Sequence, residues 1–115
     1  MLFTFGSRNH KTFIYVYTFV KSRFDIESLE NATEVLRAIA HPIRIAIIDL
    51  LRGDKKLSVT EIHEELEIEQ AIASHHLRIL KDRNIVISQR DGKNTFYALR
   101  SEEYTTIVGS LEELD

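Results

Sequence analysis

Apolar positions recur at helical spacing from Leu29 onward. Leu29, Ala32, Leu36 and Ile39 share one face, and Asp25 stands where a cap belongs, which predicts a helix running to about Ala40. His41-Pro42 interrupts it. Proline at a first helical position then opens a second helix, IRIAIIDLLRG, which Gly53 ends. Ile43, Ile45, Ala46, Ile47, Ile48, Leu50 and Leu51 cover most of its circumference, so it is expected to be the central buried element. Ser58 and Glu61 have the spacing of a capping box, with Leu57 and Ile62 at the hydrophobic-staple positions. A short helix from Val59 to about Leu66 follows, then Glu67-Ile68-Glu69 as a turn with Ile68 facing the core. From Gln70 to Arg83, Ala73, Leu77 and Leu80, with His76 beside them, form an inward stripe. Ile85 to Arg90 and Asn94 to Leu99 then alternate around Asp91-Gly92, the pattern of a β-hairpin. The end of the chain, SEEYTTIVGSLEELD, sets Tyr104, Ile107, Val108, Leu111 and Leu114 on one helical stripe.

This order predicts a mainly α fold with a small β-hairpin: a winged helix-turn-helix of about five helices and a two-stranded wing. Such an arrangement places one helix in the DNA major groove. On the helix from Gln70, the face opposite the apolar stripe collects Gln70, Ala71, Ser74, His75 and Arg78. Gln70 carries the amide needed for a bidentate contact to adenine, and Ser74 and His75 can donate or accept toward bases or phosphates. Ala71 or Ile72 suits a thymine methyl. Arg78 and Lys81, farther along, suit phosphates, and Arg90 and Lys93 flank the wing tip where backbone or minor groove would lie. The terminal stripe of Tyr104, Ile107, Val108, Leu111 and Leu114 has little core of its own to cover. With Leu29 and Leu36 of the first helix it is expected to form a homodimer interface, folding back on its own chain being the competing reading.

Charge sharpens this reading. The chain as a whole carries −3, which argues against a generic polyanion binder. Residues 74–100, however, hold six basic groups against Asp82 and Asp91, a local excess over the second helix and the hairpin. Residues 101–115 hold five acidic groups and no basic one. There is no cysteine, which excludes disulfides, thiolate metal sites and thiol switches. No stretch reaches the roughly 18 apolar residues of a membrane helix, so no membrane partner is expected and a cytoplasmic location is. Seven of the ten aromatics fall in residues 1–24, with Phe13, Tyr15, Tyr17 and Phe19 alternating as a strand face would. Lys21-Ser22-Arg23 follows that run instead of a small-residue cleavage site, which speaks against a signal peptide. Residues 1–24 are therefore set apart as an aromatic-rich arm: an extra strand, an arm over a dimer, or sequence upstream of a later start. Residues 25–115 are assigned to the DNA-binding and dimerisation domain.

Residues 35 to 99 resemble the ArsR family of bacterial winged-helix repressors. VLRAIAHPIRIAIIDLL resembles that family's start, LSVTEIHEELEIEQAIASHHLRIL its helix-turn-helix with a Ser-His-His-Leu step, and RDGKNTFYAL its wing. The resemblance implies homodimers that bind a palindromic operator on double-stranded DNA, repress transcription and usually release DNA on binding an effector. The chain departs from the family in places. The family's Cys-x-Cys metal step falls here within Val59-Thr60-Glu61-Ile62, and a second family site of Asp, His and Glu would lie in residues 101–115, which hold no histidine. Glu67 replaces the usual glycine of the turn and Glu69 the usual serine cap. His75 and His76 are adjacent, so on a helix they point about 100° apart and do not readily share an ion. No metal site and no cofactor is expected. His76 is read as a packed, hydrogen-bonded histidine, and a small organic effector, a partner protein or protein abundance as the means of control. The competing function is a winged-helix protein-interaction module that has lost DNA binding, to which Glu67 and Glu69 point. No nucleophile motif, phosphate loop or carboxylate pair suggests an enzyme.

Overall fold

Asp25 accepts the Ser28 N–H at 2.7 Å and opens α1, Ile26–Ile39. The computed structural model describes residues 20–114; the alternating aromatic run at 13–19 lies outside them. The chain divides into two compact units, residues 1–36 and 37–115, and α1 crosses that division. Within the first unit, the Thr33 hydroxyl donates back to the Leu29 carbonyl at 2.8 Å. The inward stripe expected for α1 is only partly realised. Leu36 is 56% exposed and Ala32 is exposed too, whereas Ala38 and Ile39 are buried.

The second unit is built around α2, Pro42–Leu50. Proline sits at its start as expected, and the His41 side chain supplies the cap, its Nδ1 accepting the Ile43 N–H at 3.1 Å. Leu57–Ser58 forms β1, followed by α3 (Val59–Leu66), α4 (Gln70–Asp82), β2 (Val86–Asp91), β3 (Asn94–Leu99) and α5 (Glu103–Leu111), which ends in a 3-10 turn, Glu112–Leu114. The core lies where α2, α3 and α4 meet. Ile47 and Ile48 from α2 and Leu51 at its C-terminal cap, Ile62 from α3, Ala73, Leu77 and Leu80 from α4, and Ile85 before β2 are all fully buried. Each large aliphatic side chain so removed from water contributes about 1.5–3 kcal/mol. That term, more than helix propensity, holds elements this short in place.

Both halves of the capping box form. Ser58 Oγ accepts the Glu61 N–H at 3.1 Å, and Glu61 Oε1 accepts the Ser58 N–H at 3.0 Å. The sheet has three antiparallel strands in the order β1-β3-β2, one more than the two-stranded wing expected. The extra strand pairs Leu57 with Tyr97 and Ser58 with Phe96. Two residues are too short to show a period, and Ser58 already reads as a helix cap. The hairpin is also displaced by one residue. Asp91 pairs with Asn94, so the loop is Gly92-Lys93, with Gly92 at φ 63° supplying the positive φ that this tight turn demands.

Candidate nucleic-acid interface

Two helix ends frame the helix-turn-helix, and both stop in the same way. After α3, the Ile68 N–H reaches the His63 carbonyl and the Glu67 N–H the Glu64 carbonyl, at 3.0 and 3.2 Å. After α4, Ile85 reaches Leu80 and Asn84 reaches Lys81, both at 2.9 Å. Each pair is a Schellman closure, which requires a left-handed residue at its centre. Asn84 fills that place at φ 59° and Glu67 at φ 53°. The departure from glycine at Glu67 therefore has the structural cost the sequence implies, since a side chain with a Cβ is strained there. His63 braces the same turn, its Nδ1 lying 3.2 Å from the Ile68 carbonyl.

The turn delivers α4 with one face buried and the other bare. Ala73, His76, Leu77 and Leu80 are buried, while Gln70, Ala71, Ile72, Ser74, His75, Arg78 and Lys81 are all exposed. The expected DNA-facing set thus lies on one accessible surface, as 3.6-residue spacing dictates. Glu69 precedes it in extended conformation and makes no side-chain cap; its backbone carbonyl instead accepts the Ile72 and Ala73 N–H groups, both at 3.1 Å. On the wing, Arg90 and Lys93 are exposed as expected. Arg90 also folds back on the tip, its Nε donating to the Gly92 carbonyl at 3.2 Å.

The C-terminal residues divide. Val108 is 7% exposed and belongs to the chain's own core, where α5 packs on α2; it is not available to a second subunit as expected. Ile107, Leu111 and Leu114 are 37%, 45% and 79% exposed, and Tyr104 is half-buried. The Glu102 carboxylate, just before α5, accepts the Asp54 N–H at 3.0 Å and ties this helix to the loop after α2. Among the described residues, no helix is long and apolar enough to cross a membrane.

The histidines depart most from expectation. The His75 and His76 rings do not splay apart: they meet edge to face with centroids 5.0 Å apart. His41 joins them, its ring 4.2 Å from that of His76. His76 is packed, as expected, but its buried Nδ1 has no hydrogen-bond partner among the described residues, unlike the hydrogen-bonded ring the sequence predicts. Burial, then the charges of His41, Arg44 and His75, hold its imidazolium below the ordinary value of 6.5. Ring proximity does not by itself bring two imidazole nitrogens onto one point, and among the described residues no three His, Asp or Glu side chains are grouped so as to hold a metal ion. No local signal announces this cluster, because His41 and His76 come together only through the packing of α2 on α4.

Known proteins agree with this architecture. The family described as bacterial regulatory protein, arsR family, matches residues 41–88, from the α2 cap into β2. An uncharacterised HTH-type transcriptional regulator of Methanocaldococcus jannaschii is 34% identical over 77% of this chain and the whole of that protein. The HTH-type transcriptional repressor SmtB of Mycobacterium tuberculosis is 39% identical over 71% of this chain and 60% of that protein. Among solved structures, the transcriptional repressor PagR of Bacillus anthracis superposes with a TM-score of 0.68 at 30% identity, covering 76% of this chain and 99% of that one. With its exposed recognition helix, its wing and these relatives, the chain belongs to the arsR family of bacterial regulatory proteins: it is a winged helix-turn-helix, DNA-binding transcriptional regulator, not an enzyme.

Proposed function

We propose that this chain is a homodimeric repressor that reads a palindromic operator through α4, with Gln70, Ser74 and His75 toward base edges. Arg78, Lys81, Arg90 and Lys93 neutralise phosphates. The observation that carries this reading is the division of α4 into a buried apolar face and an exposed face of amide, hydroxyl, imidazole and guanidinium groups. An interaction surface would favour large apolar anchors there, and Ile72, 38% exposed, is the one large aliphatic side chain. Relatives named as repressors support repression as the outcome. Dimerisation draws on Ile107 and Leu111 of α5 and Leu114 of the 3-10 turn after it, with Tyr104 at the edge, and on Leu29 and Leu36 of α1. The signal that releases DNA is a small molecule or partner protein, and not a metal held by thiolates, since the chain has none to offer.

A second reading, a winged-helix module that binds protein and not DNA, draws on Glu67 and Glu69. Both are exposed immediately before the recognition helix, where they would repel phosphate. One experiment separates the two. DNA fragments selected from the genome on purified protein supply the operator, and Gln70→Ala is then compared on operator and random duplex at fixed salt. Direct reading predicts a loss of about 1–3 kcal/mol on the operator and little change on random DNA. Equal losses on both remove Gln70 as a base reader, and failure to select any fragment favours the protein-binding module.

A further inference from the structure

Two imidazoles face each other across the joint between the start of α2 and the recognition helix. The His41 Nδ1 accepts the Ile43 N–H that caps α2, so that nitrogen must keep its lone pair for the cap to exist. Opposite it, at 4.2 Å between ring centroids, the His76 ring is buried with its Nδ1 unpartnered. Arg44 stands beside them, donating from its guanidinium to the Ala38 carbonyl at 2.8 Å, with its Nε buried and without a partner among the described residues. Among the described residues, the groups whose charge acts on His76 are His41 and Arg44, from the beginning of α2, and His75 on its own helix. The other elements packed against α4, namely α3 and β2, contribute no such group.

We propose that the His41–His76 contact is a proton-sensitive joint, which holds the recognition helix in place while the buried His76 ring is neutral and loosens it when a proton enters that ring. A proton on His76 would place a cation against Arg44 and His41 in a site with no acceptor for its Nδ1–H. That event acts at the contact that sets α4 on α2, against the ring whose Nδ1 caps α2 and one residue from the exposed His75.

The sign follows from linkage. Because the folded state binds the His76 proton less readily than the unfolded chain does, its stabilisation is complete above 6.5 and is lost as pH falls through the lower folded value. Ordinary DNA binders behave in the opposite sense, since protonating exposed histidines adds positive charge and tightens phosphate contacts.

The test uses the full chain and the duplex most enriched in a random-library selection at about pH 8, followed by affinity measurements down to about pH 5.5 at fixed salt. Imidazole and Ile43 amide resonances are followed in the absence of DNA across the same range. The expected result is a duplex affinity at least roughly threefold weaker at the acid end, with the Ile43 amide shifting at the midpoint of the His76 ring. His41→Asn, which keeps a capping side chain, should flatten the affinity profile; His76→Gln should do so as well, with folding of both variants verified by melting. An affinity that is flat or rises toward acid, or an unchanged profile in folded His41→Asn, overturns the proposal. The resonance titration needs no DNA, so a failure to bind the duplex does not obscure the state of the joint.

Discussion

At the scale of single residues, Glu67 shows how a functional surface can tolerate local strain. It occupies a left-handed place that glycine takes at no steric cost, and it is exposed directly ahead of the recognition helix. Glu67→Gly is expected to raise stability by about 0.5–1 kcal/mol, the relief of the Cβ clash exceeding the added freedom of the unfolded chain. Thermal melting checks this, and a lower melting temperature would show that the Glu67 side chain makes a compensating contact. The same change removes a negative charge from the DNA side, so affinity for random duplex should increase modestly at low salt. Glu67 could be read in sequence because the turn's geometry calls for one residue type and this chain supplies another. His76 could not. Its place on the inward stripe is visible in the 3.6-residue period, but its neighbour His41 lies 35 positions away in sequence and its lack of a partner is a property of packing.

Among the elements, local start signals place three helices, while α4 begins at Gln70 and β3 spans Asn94–Leu99 as their periodicity alone predicts. Asp25, Pro42 and the Ser58–Glu61 pair each act within one helical turn, and α1, α2 and α3 begin where these residues predict. The wing strands are legible by alternation, yet their loop lies one residue later than Asp91-Gly92 suggests, because cross-strand register is decided by pairing and not by the turn dipeptide alone. β1 is invisible, since its two residues gain their strand character wholly from β3. Ser58→Ala tests the capping element directly. Removing the hydroxyl leaves the Glu61 N–H without its acceptor and is expected to cost about 1 kcal/mol, seen as a lower denaturation midpoint at unchanged slope. An unaltered midpoint would mean that the box contributes nothing beyond what water supplies.

At the scale of the whole molecule, the aliphatic side chains Ile107 and Leu111 of α5 stand exposed among the described residues, and the proposed dimer would cover them. Ile107→Asp with Leu111→Asp is expected to yield a folded monomer in sedimentation that binds a half-site weakly. In the proposed dimer the two recognition helices are expected to stand about 34 Å apart. A dimer that survives the double change would place the interface on other surfaces. The single residue Ser58 belongs to two structures at once: it closes the short strand that anchors the wing and it starts α3, against which the recognition helix packs. A groove-reading helix and a wing joined through one backbone position behave as the jaws of a caliper whose opening is locked. Such a protein measures its site as well as reading it, so an operator lengthened by one base pair between the contacts of helix and wing satisfies one jaw at the expense of the other.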